Sequence, residues 1–425
     1  MKSYTKLKLN YIKKFLSQFF IKKEMINIIT GIITEYNPFH KGHEYHLKKA
    51  RSETNADGIV CVMSGNFMQR GIPGIIDKWN RAEMAIKNGV DLVLELPLVY
   101  SISSAEHFAF GSVSLLNSLG IVDCLYFGSE EGNVATLEDI AQTLVSEPYE
   151  YKRLLKNNLK LGLPFHLSRA NALNDYLNSN NVLNVLSNSN NILGIEYIKA
   201  LKILNSLVIP RTLKREGASY NDNNLNSSFS SATSIREHLR KNTLSELINV
   251  LPEASYDILY SLSSSNYPFI FEDDMFKYIK YKLFTNEKSL LSLPDISEGL
   301  ENRILKEILS SNSLNELILN SKSKRYTYTR INRILAQSFL NLEDFDLFNL
   351  SKTSTPYARV LGFNSVGRNM LKNIKIKGNI DIITKVPKNN LCDHMKIDIL
   401  GTKAYSLLNS KINPMEDYLK GPIII

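Results

Sequence analysis

Apolar and polar positions along the chain fall into blocks whose periods change. Ile26 to Thr34 is an apolar, β-branched run and predicts a strand. Gly42 to Arg51 has helical composition. Gly58 to Met63 predicts a second buried strand, and Lys78 to Lys87 a helix stopped by Asn88-Gly89. Val90 to Leu96 predicts a third strand ended by Pro97, Ser104 to Leu119 a helix closed by Gly120, and Ile121 to Phe127 a fourth strand. Short, fully apolar strands separated by helices indicate a parallel sheet covered on both faces, an α/β doubly wound fold. Ligands of such folds bind at the carboxyl ends of the strands, where the strand order reverses. Three polar segments follow strands directly: Glu35–His43, Ser64–Arg70 and Gly128–Glu131. They are expected to gather on one edge.

From about 133 to 205 the pattern is mostly helical, interrupted by the Asn/Ser-rich stretch Asn178–Asn191. Ser206 to Arg215 predicts a last strand. Ser231 to Arg240 begins a helix at a hydroxyl-rich cap. Beyond about 245 the period is helical, with Ser/Asn-rich loops near 262–266 and 310–314. The expected organisation is therefore a nucleotide-type α/β domain over 25–245 and a mainly helical, basic domain over 246–425.

Charge modifies this picture at one end. The chain of 425 residues carries a formal +9, but residues 1–24 hold seven lysines against one glutamate. That segment reads as a basic extension ahead of a start at Met25, and the rest of the chain is nearly balanced. No run approaches the ~18 apolar residues that span a bilayer, so no membrane partner is expected. Cys61, Cys124 and Cys392 form no CxxC and no Cys/His metal spacing. They read as reduced thiols in a cytoplasmic protein.

The chemistry concentrates in His40-Lys41-Gly42-His43, between a predicted strand and a predicted helix. Gly42 lets backbone approach a phosphate. The helix start offers free N–H groups and the positive end of a dipole. Two imidazoles a turn apart can face one triphosphate and donate hydrogen bonds to the α-phosphate as charge builds there. His46 lies one turn further on. A zinc site of His40, His43 and His46 is the competing reading of the same residues. Thr233, Ser234 and Arg236, within Ser231–Arg236, offer hydroxyls and a bidentate cation for the β- and γ-phosphates. Arg81, beside the only tryptophan, reads equally as a phosphate contact or as a helix surface charge.

These motifs together resemble the HxGH nucleotidyltransferase superfamily, with its HUP-like α/β domain. The longer runs Ile33–His43, Val62–Phe67, Asp91–Pro97, Tyr126–Glu130, Asn190–Tyr197 and Ser231–Arg236 resemble the tRNA(Met) cytidine acetate ligase family. The resemblance covers essentially everything after Met25. It implies that acetate attacks the α-phosphate of ATP to give acetyl-adenylate and pyrophosphate. The acetyl group then passes to N4 of the wobble cytidine of elongator tRNA(Met), releasing AMP. Carried over by position, the catalytic pair is His40 and His43. The ATP contacts are Ile33, Thr34, Glu35, Tyr36, Asn37, Pro38, Phe39, His40, Lys41, Gly42, His43, Glu44, Tyr45 and His46, with Gly128, Asn190 or Asn191, and Arg215. Lys41 and Ser189 depart from the family's usual asparagine and proline, and neither removes a group the chemistry needs. Magnesium is expected to accompany ATP, without a dedicated protein metal site.

The stretch 322–377 holds eleven Lys/Arg against three Asp/Glu, with aromatics interleaved. Lys322, Lys324, Arg325, Arg330, Arg333, Arg359 and Arg368 are the candidate tRNA contacts, cations for phosphates beside rings that stack bases. A solvated basic helix face is the plain alternative. Two other functions share the loop: a small-molecule adenylyltransferase, and an RNA-binding protein with a vestigial nucleotide fold. The first leaves the long second half unexplained. Against the second stand intact His40, Gly42, His43, Thr233 and Arg236.

Overall fold

The computed structural model describes residues 28–179, 181–215, 232–323 and 325–425. The basic extension over 1–24, Ser231 and Lys324 lie outside the described residues. Five parallel strands form where the sequence predicts them: β1 (Ile29–Thr34), β2 (Gly58–Ser64), β3 (Leu92–Leu96), β4 (Cys124–Ser129) and β5 (Ile209–Lys214). The helices that matter for the site are α1 (Lys41–Thr54), α2 (Lys78–Lys87), α3 (Ala105–Ser118), α4 (Ser189–Ile203) and α5 (Ala232–Arg240). β1 pairs with β2 on one side and β4 on the other, so the strand order reverses at β1. The crevice beyond its carboxyl end is the binding position of this fold. β2 and β3 are buried at every position, as strands covered on both faces require.

The second half is mainly helical, and it also does what its pattern did not announce. β6 (Tyr357–Phe363) enters the same sheet antiparallel to β3, and β7 (Asp381–Ile383) and β8 (Ile423–Ile424) pair with β6. The full order is β5-β4-β1-β2-β3-β6-β7, with β8 also against β6. α6 (Tyr328–Phe339) lies along the carboxyl edge of the sheet. There Asn332 Nδ2 donates to Arg70 O (2.8 Å), and Gln337 Nε2 donates to Ile102 O (3.1 Å). Gly71, at φ +76°, sits so close to α6 that a Cβ would stand 2.7 Å from the Arg333 backbone. Among the described residues no helix is long and apolar enough to cross a membrane.

β3 and β6 are joined by charge as well as by backbone. Lys78 reaches Glu95 (2.7 Å) and Asp417 (2.8 Å), and Arg359 reaches Asp417 (2.7 Å) and Glu95 (3.4 Å). All four side chains are 5% exposed or less. Asp398, on α8 (Asp393–Leu408), accepts from Leu98 N and Tyr357 Oη, both at 2.7 Å. Its carboxyl is pushed up to about 7 by burial and by Glu95.

Candidate active site

The nucleotide loop begins where β1 ends. Tyr36 takes a left-handed backbone (φ 46°), uncommon for an aromatic residue. Its ring meets Phe39 at 4.6 Å and His43 at 4.9 Å. Phe39 is fully buried, so it and Tyr36 seat the loop in the core. Asn37 is also spent on structure: its Oδ1 accepts from Ile75 N (2.8 Å), and its Nδ2 donates to Pro73 O (3.4 Å). Pro38 is buried beside it, Ile33 lies partly buried in β1, and Thr34 Oγ1 meets Cys61 Sγ at 3.1 Å. Lys41 turns from the crevice to donate from Nζ to Asn249 O (2.6 Å). Glu44 pairs with Lys48 (2.5 Å), and Tyr45 lies under Lys49 (5.8 Å to the ring centre). The fourteen-residue loop therefore divides into anchors and a few groups that face the site.

Glu35, His40, Gly42, His43 and His46 are those groups. His40 is the N-cap of α1, and its Nδ1 accepts from Gly42 N (3.1 Å). His43 Nδ1 accepts in turn from His40 N (3.3 Å). The two rings stack with centres 3.7 Å apart. An imidazole whose Nδ1 accepts a hydrogen bond carries its proton, when neutral, on Nε2. The backbone thus fixes both tautomers and leaves two Nε2–H donors. Both rings are neutral near pH 7. Burial, then the charge of Arg215, lowers His40 to about 3, and burial, then His40 and Arg215, holds His43 well below the ordinary imidazole range. His46 falls to about 4 by burial and Arg215, and its Nε2 is buried without a partner against the Tyr126 ring. Among the described residues no cluster of three or more metal-ligating side chains exists.

Arg215 sits at the end of β5, its N–H donating to Ser129 O (2.9 Å). Gly128 makes room for it, since a Cβ there would stand 3.3 Å from Arg215 Cγ. The two asparagines separate cleanly. Asn191 is buried and saturated: its Oδ1 accepts from Glu131 N (2.9 Å), and its Nδ2 donates to Val185 O (3.0 Å). Asn190 is only part-buried, with Nδ2 on Glu130 (2.6 Å). On α5, Thr233 Oγ1 is buried without a partner and Ser234 is fully buried. Arg236 donates to Asn37 O (3.4 Å) and lies 3.8 Å from Glu272, so the hydroxyl-rich helix does meet the loop. Arg81 is neither a phosphate contact nor a surface charge. It is fully buried and donates to the carbonyls of Glu35 (2.8 Å), Ser64 (3.0 Å) and Gly65. Ser64 Oγ, unnamed individually by the sequence, is buried and unpartnered at the end of β2.

The basic stretch is split by the fold. Lys322 and Arg325 are exposed, Arg325 pairing with Glu298. Arg330 stacks on Tyr326 (4.7 Å) and pairs with Asp295 (3.4 Å). Arg333, half-buried on α6, flanks the 69–71 loop. Arg330 and Arg333, on α6, belong to the carboxyl edge. Arg359 does not: its side chain is 5% exposed and held between Glu95 and Asp417, so the expectation of an RNA contact there is corrected. Arg368 is exposed but starts α7 (Ser365–Lys377), whose Gly367 packs on Asp91 at the amino end of β3. The sheet therefore separates it from the nucleotide loop.

The HIGH Nucleotidyl Transferase family matches residues 27–418. A tRNA(Met) cytidine acetate ligase of Clostridium novyi (strain NT) is 51% identical over 399 residues, 93% of this chain and 99% of its own. One from Clostridium kluyveri is 50% identical over 404 residues, with 93% and 99% covered. The chain belongs to the tRNA(Met) cytidine acetate ligase family. Crystal structures of Thermotoga maritima TmcAL carry the same fold. The apo form aligns with TM-score 0.87 and 32% identity over 94% of this chain and 99% of that one. The form bound with alpha-thio ATP aligns with TM-score 0.86 over 93% and 99%. The chain is thus an ATP-dependent ligase of this family.

Proposed function

We propose that the chain activates acetate with ATP and acetylates N4 of the wobble cytidine of elongator tRNA(Met), in the cytoplasm where that substrate resides. The observation that carries this reading is the pair of Nε2–H donors fixed at the start of α1, in a chain of this family. A carboxylate oxygen of acetate attacks the α-phosphorus, and the bond to the pyrophosphate oxygen breaks. Neutral imidazoles donate to the α-phosphate oxygens, and the start of α1 adds the positive end of its dipole. His40 and His43 take this role, and Gly42 allows the approach. Arg215, Thr233, Ser234 and Arg236 take the phosphates and the departing pyrophosphate, while Gly128 and Asn190 border the nucleoside. Magnesium enters with the triphosphate oxygens.

The division of labour follows 25–245 for the nucleotide and 246–425 for RNA, with Lys322, Arg325, Arg330 and Arg333 meeting the tRNA backbone. The test incubates the protein with ATP, labelled acetate and total tRNA. Label in N4-acetylcytidine, with AMP and pyrophosphate released in equal amounts, is the expected result. AMP transfer to a small molecule without acetate would overturn the reading in favour of an adenylyltransferase.

A further inference from the structure

Glu35 stands at the carboxyl end of β1, the strand at which the sheet order reverses. One carboxylate oxygen accepts from Gln69 N at 2.6 Å. Gln69 begins the 69–71 loop, whose Arg70 carbonyl accepts from Asn332 of α6 and whose Gly71 packs on Arg333. The carboxylate therefore lies between the nucleotide loop and the helix that carries Arg330 and Arg333. The adjacent guanidinium of Arg81 is committed to backbone carbonyls, one of them that of Glu35 itself. Charged and titratable groups face Glu35 from every side: Arg70 from the loop after β2, Arg81 from α2, Arg236 from α5, and Tyr197 from α4.

Resting on the function proposed above, we infer that Glu35 is the base of the second half-reaction, accepting the proton lost by the attacking amine of the acceptor base. An exocyclic amine conjugated to a pyrimidine ring is a weak nucleophile. Its attack on an acyl carbon gains when a carboxylate takes its proton as the new bond forms. The nitrogen lone pair bonds to the acetyl carbon. The bond from that carbon to the phosphate oxygen breaks, and its electron pair leaves with AMP. One amine proton passes to Glu35 and then to water. The imidazoles that serve the first step cannot substitute, because their Nδ1 lone pairs are occupied and their Nε2 positions already bear protons. Burial, opposed by the Gln69 N–H and then the three arginines, raises Glu35 above the ordinary carboxylate range and makes it a better base than a solvated one.

The experiment compares the full-length protein with Glu35→Gln, which keeps an oxygen for the Gln69 N–H, and Glu35→Asp. Each preparation is assayed for acetate-dependent ATP–pyrophosphate exchange and for single-turnover transfer of labelled acetyl from bound acetyl-adenylate to tRNA. In Glu35→Gln the ratio of transfer to exchange is expected to fall about 100-fold, the low end of general-base catalysis. Glu35→Asp should restore part of that ratio. Transfer by the native protein should decline as pH falls through the raised carboxyl range, and Glu35→Gln should lose this limb. An unchanged ratio, or equal loss of both half-reactions, would overturn the assignment. A native protein that exchanges pyrophosphate but labels no tRNA would overturn the underlying function instead, in an arm that contains no variant.

Discussion

Replacing Asp417 with alanine should destabilise the protein more than any surface change. Its carboxylate is fully buried and holds Lys78 at 2.8 Å and Arg359 at 2.7 Å. Two cations and two carboxylates balance in the native cluster, with Glu95 as the fourth member. Asp417→Ala leaves Lys78 and Arg359 sharing Glu95 alone. Removing one partner of a buried ion pair costs about 3–5 kcal/mol, because the remaining charge stays desolvated. Unfolding entropy of about 2.1 cal/mol/K per residue gives roughly 0.9 kcal/mol/K for a chain of this size, so the melting temperature should fall by about 3–6 °C. Scanning calorimetry measures it directly. The double variant Arg359→Met/Asp417→Leu restores one cation to one carboxylate and fills the space with apolar atoms. It should melt above Asp417→Ala, since well-packed apolar residues replace buried ion pairs at little cost. A double variant that melts below the single one, or an Asp417→Ala protein that melts with the native protein, would refute the charge-balance reasoning.

Acidification supplies a second test. His40 and His46, lowered to about 3 and about 4, are neutral in the fold where the unfolded chain protonates near 6.5. The stability of neutral burial is present above 6.5 and lost as pH falls towards 4, so the ligand-free protein should melt progressively lower across that window and His46→Asn should flatten the slope. Asp398 acts with the opposite sign: raised to about 7, it gives stability at acid pH that is lost as pH rises from the ordinary carboxylate range, and Asp398→Asn should remove that loss in melts at pH 5 and 8. The asparagines should part company, Asn190→Ala raising the KM for ATP and Asn191→Ala lowering the melting temperature by cutting one buried and one part-buried hydrogen bond. Arg330→Glu should weaken tRNA binding and reduce its salt dependence, whereas Arg359→Met should leave the salt slope of tRNA binding unchanged.

The first four strands were legible because each is a short apolar block bounded by turn residues, and their parallel order places three polar segments on one edge, whereas the fifth, Ile209–Lys214, is a mixed and largely exposed run. The nucleotide loop was legible because its residue types and its strand-to-helix setting coincide. What escaped the pattern depends on partners distant in sequence. Tyr357 to Phe363 is an apolar run like any other in a helical half. Only Leu92–Leu96, with its unpaired side, makes it a strand of the same sheet. Arg359 counts as basic along the chain, and only Glu95 and Asp417 show that it is neutralised. The tautomers of His40 and His43 follow from backbone N–H positions that residue identity does not specify. Arg368 was grouped with Arg330 by proximity in sequence, although the sheet holds them at opposite edges.

The late arrival of β6 has a consequence for biosynthesis. β3 ends at Leu96 and its neighbour begins only at Tyr357. At about 5–20 residues per second, translation leaves that flank of the sheet uncovered for roughly 10–50 s. Through that interval Glu95 and Lys78 occupy the open flank without Arg359 and Asp417. Inward-pointing charge is a recognised deterrent to strand pairing with a stranger. The same residues that later lock the finished molecule thus guard the nascent chain on the ribosome while its own strand is still being made.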